Sequence, residues 1–123
     1  MNELLLIILR DILKKRTYVG EKIMEITSKK YGSAVVVNIE GRIDTNTAME
    51  FGEKVNDLLD NITDLVLDFE KVEYISSLGL RAILELQKRM LSQGTMKIIN
   101  ANESVMDVFN MTGFNKILTI ENV

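Results

Sequence analysis

The chain of 123 residues predicts an α/β domain: a mixed sheet of about four to five strands with helices packed on it. The predicted order is β-β-α-β-α-β-α-β after an extra N-terminal helix. Three observations carry this. Short runs rich in valine, isoleucine and leucine alternate with longer runs whose apolar residues recur at helical spacing. The first two short runs follow each other across Tyr31-Gly32-Ser33, which reads as a hairpin. At Tyr74-Ile75-Ser76-Ser77-Leu78-Gly79-Leu80-Arg81 a strand-like run passes directly into a helical one, with two hydroxyls at the changeover.

Composition narrows the chemistry. Hydrophobic residues make up 46% and charged residues 27%, an ordinary balance for a globular domain, and the length is enough to bury a core. A formal net charge of -3 gives no electrostatic footprint for nucleic acid. Cysteine and histidine are both absent. Disulfide and thiolate chemistry are therefore excluded, a Ser-His-Asp triad cannot be assembled, and the common zinc sites lack their ligands. No metal and no cofactor is expected, and the lack of cysteine fits a reducing, cytoplasmic setting.

Residues 1–22 form a distinct leader. Leu4 to Leu9 is a solid apolar run that Ile12 and Leu13 continue, which predicts a helix from Glu3 to Arg16. About 20 apolar residues are needed to span a bilayer, so this run is too short. The acidic Glu3 and the missing cleavage site argue against a secretory signal. Arg10, Lys14, Lys15, Arg16 and Lys22 outweigh Glu3, Asp11 and Glu21, whereas the rest of the chain is acidic. Three readings stand side by side. The helix covers an apolar patch of its own domain or of a second copy, giving a homodimer; it attaches to an anionic membrane surface through Lys14, Lys15 and Arg16; or the working domain starts at Met24. Membrane association is the least favoured.

From Met24 the elements follow in order. Met24 to Lys30 alternates apolar and polar residues, and Ala34 to Ile39 is valine-rich; these are the two hairpin strands. A polar corner from Arg42 to Thr47 precedes the first long helix, with Thr45 or Asn46 expected as its cap. Ala48, Phe51, Val55, Leu58 and Leu59 recur at helical spacing, and Asp60-Asn61 is the expected end. Leu65 to Leu67 is a candidate central strand, Asp68 to Lys71 a loop, and Val72 to Ile75 a strand-like run that leads back to the two serines. Leu80, Ile83, Leu84, Leu86, Met90 and Leu91 mark a second helix, stopped at Gly94 as a C′ residue. Met96 to Ile99 is a strand, Asn102 or Ser104 caps a third helix, and Leu118 to Ile120 is the last strand. The domain is read as residues 24–121.

The changeover offers two compatible roles. Ser76 or Ser77 caps the helix, or one of them is a surface acceptor for a phosphoryl group, which the free N–H groups of a helix start favour. A nucleophilic serine is disfavoured: Ile75 stands where the G-x-S-x-G elbow needs glycine, and no histidine is present to activate the hydroxyl. Asp44 either brackets the first helix or lines the same end of the sheet as Ser77, and Asp68 is expected to join them. Gly79, one turn into a helix, costs about 1 kcal/mol against alanine, so a close neighbour is expected there.

Gly41-Arg42-Ile43-Asp44, Leu67-Asp68-Phe69, the run from Val72 to Arg81, and Val105 to Phe114 together resemble the STAS domain, most closely that of bacterial anti-sigma-factor antagonists. The resemblance covers about residues 24–121. It implies a binding module, not an enzyme: the unphosphorylated protein binds an anti-sigma factor that is also a serine kinase, is released once that kinase phosphorylates it, and is reset by a phosphatase. The family pattern D-S-[ST]-G-L-G places the acceptor on Ser77. It places Asp44, Thr45, Ser76, Leu78, Gly79 and Arg81 around it, as phosphosite environment and partner-binding surface. Ser76 replaces the usual Asp, Leu78 a small residue and Arg81 the second glycine. The alternative is a STAS interaction or sensor module that acts without phosphorylation.

Overall fold

The computed structural model describes residues 3–8 and 24–123. Residues 3–8 are helical (α1); the expected continuation of that helix to Arg16, and with it the three readings of the leader, lies outside the described residues. The remaining elements are β1 (Glu25–Tyr31), β2 (Ala34–Ile43), α2 (Ala48–Asn56), β3 (Asp64–Ile75), α3 (Ser77–Leu91), β4 (Thr95–Ile99), α4 (Glu103–Thr112), a 3-10 turn (Phe114–Lys116) and β5 (Thr119–Glu121). The predicted α/β order holds.

The five strands lie in sequence order, β1-β2-β3-β4-β5. β1 is antiparallel to β2, and every later pair is parallel. Each parallel crossover advances one strand in the same direction. Right-handed crossovers that never reverse place all their helices on one face. Burial agrees. Val35, Val37, Ile39 and Ile43 of β2 and Leu65, Leu67, Phe69, Val72 and Ile75 of β3 are buried together with Phe51 and Val55 of α2, Ile83 and Met90 of α3, and Phe109 of α4. The Phe69 and Phe109 rings, 6.4 Å apart and tilted by 31°, tie α4 to the central strand. The alternate residues Val36, Asn38, Val66, Asp68 and Lys97 face the other side and are only partly covered or exposed.

Four local expectations are corrected. β3 is one continuous strand that runs through Asp68–Lys71, where a loop was expected. Its pairing with β2 jumps from Asn38↔Asp68 to Glu40↔Lys71 and from Gly41↔Val72 to Arg42↔Tyr74, so β3 absorbs one extra residue at each place. Such bulges re-aim side chains. Here they leave Glu70, Lys71, Glu73 and Tyr74 exposed while Val72 and Ile75 stay in the core. The period-2 signal breaks at the bulges, and a broken period reads as a loop. Second, α2 ends at Asn56 rather than at Asp60-Asn61; Leu59 is buried from the following turn, so its spacing mimicked one more helical step. Third, Asn61 turns the chain with φ 64 and is not a helix end. Fourth, Gly94 does not serve as a left-handed C′ residue. A Cβ there would lie 1.8 Å from the Thr63 carbonyl oxygen, so close backbone approach requires the glycine.

All residues of the buried apolar cluster lie at Met24 or later, among the described residues. A chain trimmed to Met24–Val123 is therefore expected to melt in a single cooperative transition, as small single domains usually do. A broad, non-cooperative melt monitored by circular dichroism would show that residues 1–23 complete the core.

Candidate phosphoacceptor site

β2 and β3 run parallel and end level, with Ile43 paired to Ile75. Each then feeds a helix, so the loop before α2 and the start of α3 come together at one end of the sheet. The Ser76 N–H donates to the Ile43 carbonyl oxygen at 2.8 Å and locks the two together. Asp44 follows Ile43 directly and so lies beside the start of α3.

The two serines divide the expected roles. Ser76 is the N-cap: its backbone is extended (φ -92, ψ 174), and its Oγ accepts the Gly79 N–H at 3.2 Å. It is 8% exposed. Ser and Asp cap helices about equally well, and serine caps this helix without adding a charge. Ser77 is the first residue of α3, and its side chain is exposed. Of the two hydroxyls, only that of Ser77 is open to a second protein. Ser76→Ala is expected to cost about 1 kcal/mol in a urea unfolding experiment, and Ser76→Asp to stay within about 0.5 kcal/mol of the parent. An unchanged midpoint for Ser76→Ala would contradict the capping role.

Gly79 is a packing requirement. A Cβ on it would sit 2.8 Å from Ile43 Cγ2, 2.8 Å from Ile75 Cγ1 and 2.9 Å from the Ile43 carbonyl oxygen. The start of α3 thus rests directly on the ends of β2 and β3, and this contact positions Ser77 and Leu78 outward. Leu78 is 42% exposed, unusual for a leucine beside buried neighbours, and Arg81 is exposed one turn further on.

Asp44 is a structural residue here. Its Oδ1 accepts the N–H groups of Asn46 (2.9 Å) and Thr47 (3.1 Å), and its carbonyl oxygen accepts the Ala48 N–H (2.9 Å). It therefore organises the start of α2, and neither Thr45 nor Asn46 caps that helix as expected. Thr47 completes the loop: its hydroxyl donates to the Arg42 carbonyl oxygen (2.7 Å) and accepts the Asp44 N–H (2.9 Å). Thr45 is exposed at the tip. Asp68 does not join this end. It lies within β3, level with Asn38, where its Oδ1 accepts the Glu70 N–H at 3.0 Å beside the bulge.

Sequence reasoning did not single out Tyr74 or Met49, and treated Arg42 only as part of a motif. Arg42 lies 4.3 Å over the Tyr74 ring and 3.7 Å from Asp44 Oδ2, so it braces the loop from the open face of the sheet. The pairing arises because the bulge in β3 sets Tyr74 opposite Arg42, which no sequence spacing announces. Met49 is 75% exposed on the first turn of α2.

A depression of about 280 Å³ lies on the open sheet face among Glu25, Asn38, Glu40 and Asp68, and a groove of about 470 Å³ runs between α2 and α3; Ser77 lines neither. The strand order β1-β2-β3-β4-β5 has no point of reversal, the place where doubly wound folds hold their ligands. Among the described residues no group of three or more acidic side chains is placed to hold a metal ion, and no helix is long and apolar enough to cross a membrane.

Fold and site together define a small α/β interaction module, and residues 25–123 match the family model of the STAS domain. The chain belongs to the STAS domain family, and within it to the anti-sigma factor antagonists. It is 30% identical over 98 residues to the anti-sigma-B factor antagonist of Bacillus subtilis, a match covering 79% of this chain and 90% of that one. The crystal structure of an anti-sigma factor antagonist from Mycobacterium paratuberculosis superposes with a TM-score of 0.74 at 19% identity, covering 80% of this chain and 86% of that one. The Bacillus cell fate determinant SpoIIAA in its phosphorylated form superposes with a TM-score of 0.64 at 16% identity, covering 80% and 91%. The two structural likenesses establish the fold. The homologues are anti-sigma factor antagonists, regulatory binding proteins rather than enzymes.

Proposed function

We propose that this chain is a phosphorylation-switched antagonist of an anti-sigma factor. Unphosphorylated, it binds an anti-sigma factor that is also a serine kinase and so frees the sigma factor. Phosphorylation of Ser77 by that kinase releases it, and a phosphatase restores the binding form. The setting is cytoplasmic. The observation that carries the reading is the division between the two serines: Ser76 is buried and committed to the cap, while Ser77 is exposed at the family's acceptor position.

The physics of release is local. A phosphoserine brings about -1.5 to -2 charges to the start of α3, where Ser77 itself carries none. A contact that buries Leu78 would have to strip water from those charges, or set them against acidic groups, at a cost of several kcal/mol. The start of α3 tolerates the charge, because anions are favoured at a helix N-terminus. Release therefore needs no unfolding of the antagonist.

The test is a dissociation experiment with the partner kinase. The complex formed with ADP should persist, and adding ATP should break it up. The Ser77→Ala complex should survive ATP. ATP-driven release of Ser77→Ala would refute the switch and favour a STAS module acting without phosphorylation.

A further inference from the structure

The side chain of Arg81 has no hydrogen-bond or ion-pair partner among the described residues. The acids around it are engaged elsewhere. Glu85, one turn further along α3, lies 3.6 Å from Lys88 Nζ. Asp44, on the loop beside the helix start, holds the Asn46 and Thr47 N–H groups and faces Arg42 at 3.7 Å. Arg81 is thus an exposed guanidinium four residues after Ser77 on the same helix.

Residues four apart on a helix are surface neighbours, and an anion at i with a cation at i+4 is the favourable order. Before modification Ser77 offers Arg81 only a neutral hydroxyl. After modification it offers three oxygens and close to two charges, and a planar guanidinium can hold two of those oxygens at once. We propose that Arg81 is the positioning residue of the switch: it holds the phosphoryl group of phosphorylated Ser77 across one turn of α3. This rests on the reading of Ser77 as the acceptor. The phosphate is then held at a fixed place along the helix, on the exposed face that carries Ser77 and Leu78.

The test uses the full chain with phosphoserine installed genetically at position 77, so it depends on no kinase. The phosphate is titrated by 31P NMR in the parent, Arg81→Gln and Arg81→Lys proteins. Pairing favours the dianion, so the parent midpoint should lie at lower pH than that of Arg81→Gln, with Arg81→Lys between them. The difference should shrink in 1 M salt, where exposed charges are screened. Superimposed parent and Arg81→Gln curves would overturn the proposal. So would a difference that survives 1 M salt, since that would mark altered packing instead of an ion pair. Either result leaves the acceptor role of Ser77 standing. Conversely, a kinase that ignores Ser77 would refute that role without touching the pairing.

Discussion

Ser77→Asp is expected to bind the anti-sigma kinase at least about 10-fold more weakly than the parent, a loss of roughly 1.4 kcal/mol or more, while Ser77→Ala binds with near-parent affinity. The two substitutions separate charge from shape. Ser77 makes no capping bond; that task belongs to Ser76, whose Oγ accepts the Gly79 N–H. Removing the Ser77 hydroxyl therefore leaves the start of α3 intact. Aspartate at the first helical position is itself favourable for the helix, so Ser77→Asp should melt at or slightly above the parent temperature. A weak-binding variant that is fully folded assigns the loss to the interface. Equal affinities for the two variants in a calorimetric titration would remove charge as the releasing agent.

Gly94→Ala should be the most damaging single methyl group added to this fold. Its Cβ would lie 1.8 Å from the Thr63 carbonyl oxygen and 2.6 Å from the carbonyl carbon. Thr63 cannot step aside cheaply. Its N–H donates to Ser33 at 2.8 Å, and its carbonyl oxygen accepts the Thr95 N–H at 2.8 Å, so it is pinned between the hairpin turn and β4. The Gly94 N–H is also bound, to the Met90 carbonyl oxygen at 2.6 Å. Relieving the overlap must break part of this junction, at a cost of about 3 kcal/mol or more. That corresponds to a fall in melting temperature of about 10 °C. A change within about 0.5 kcal/mol would show that the junction slides, and the account of Gly94 would fail.

The two glycines of α3 and its exit show what a sequence carries. Gly79 and Gly94 both stood out as exceptions to helical composition. At Gly79 the expected reason was close approach, and Ile43 and Ile75 supply it. At Gly94 the expected reason was a helix end, because glycine after a helix is common there, but the decisive neighbour lies 31 residues earlier in the chain and leaves no local trace. The same divide runs through the site. Ser76, Ser77 and Gly79 were legible because a strand-to-helix changeover is a local event. The caps of α2 were not, because Asp44, Thr45, Asn46 and Thr47 are all competent and only the loop's final path selects Asp44 and Thr47. Tyr74 was hidden by the bulges of β3, which shift the pairing with β2 by two residues over its length. The fold class survived these errors because it depends on the order of elements and their buried faces, which the apolar pattern states repeatedly.

The most direct measurement is where the phosphate goes. The full chain incubated with its anti-sigma kinase and ATP, digested and mapped by tandem mass spectrometry, should carry one phosphoryl group, on Ser77. Ser76 should remain unmodified, because its hydroxyl is buried in the cap. Phosphate on Ser76, or no phosphate on either serine, would contradict the account.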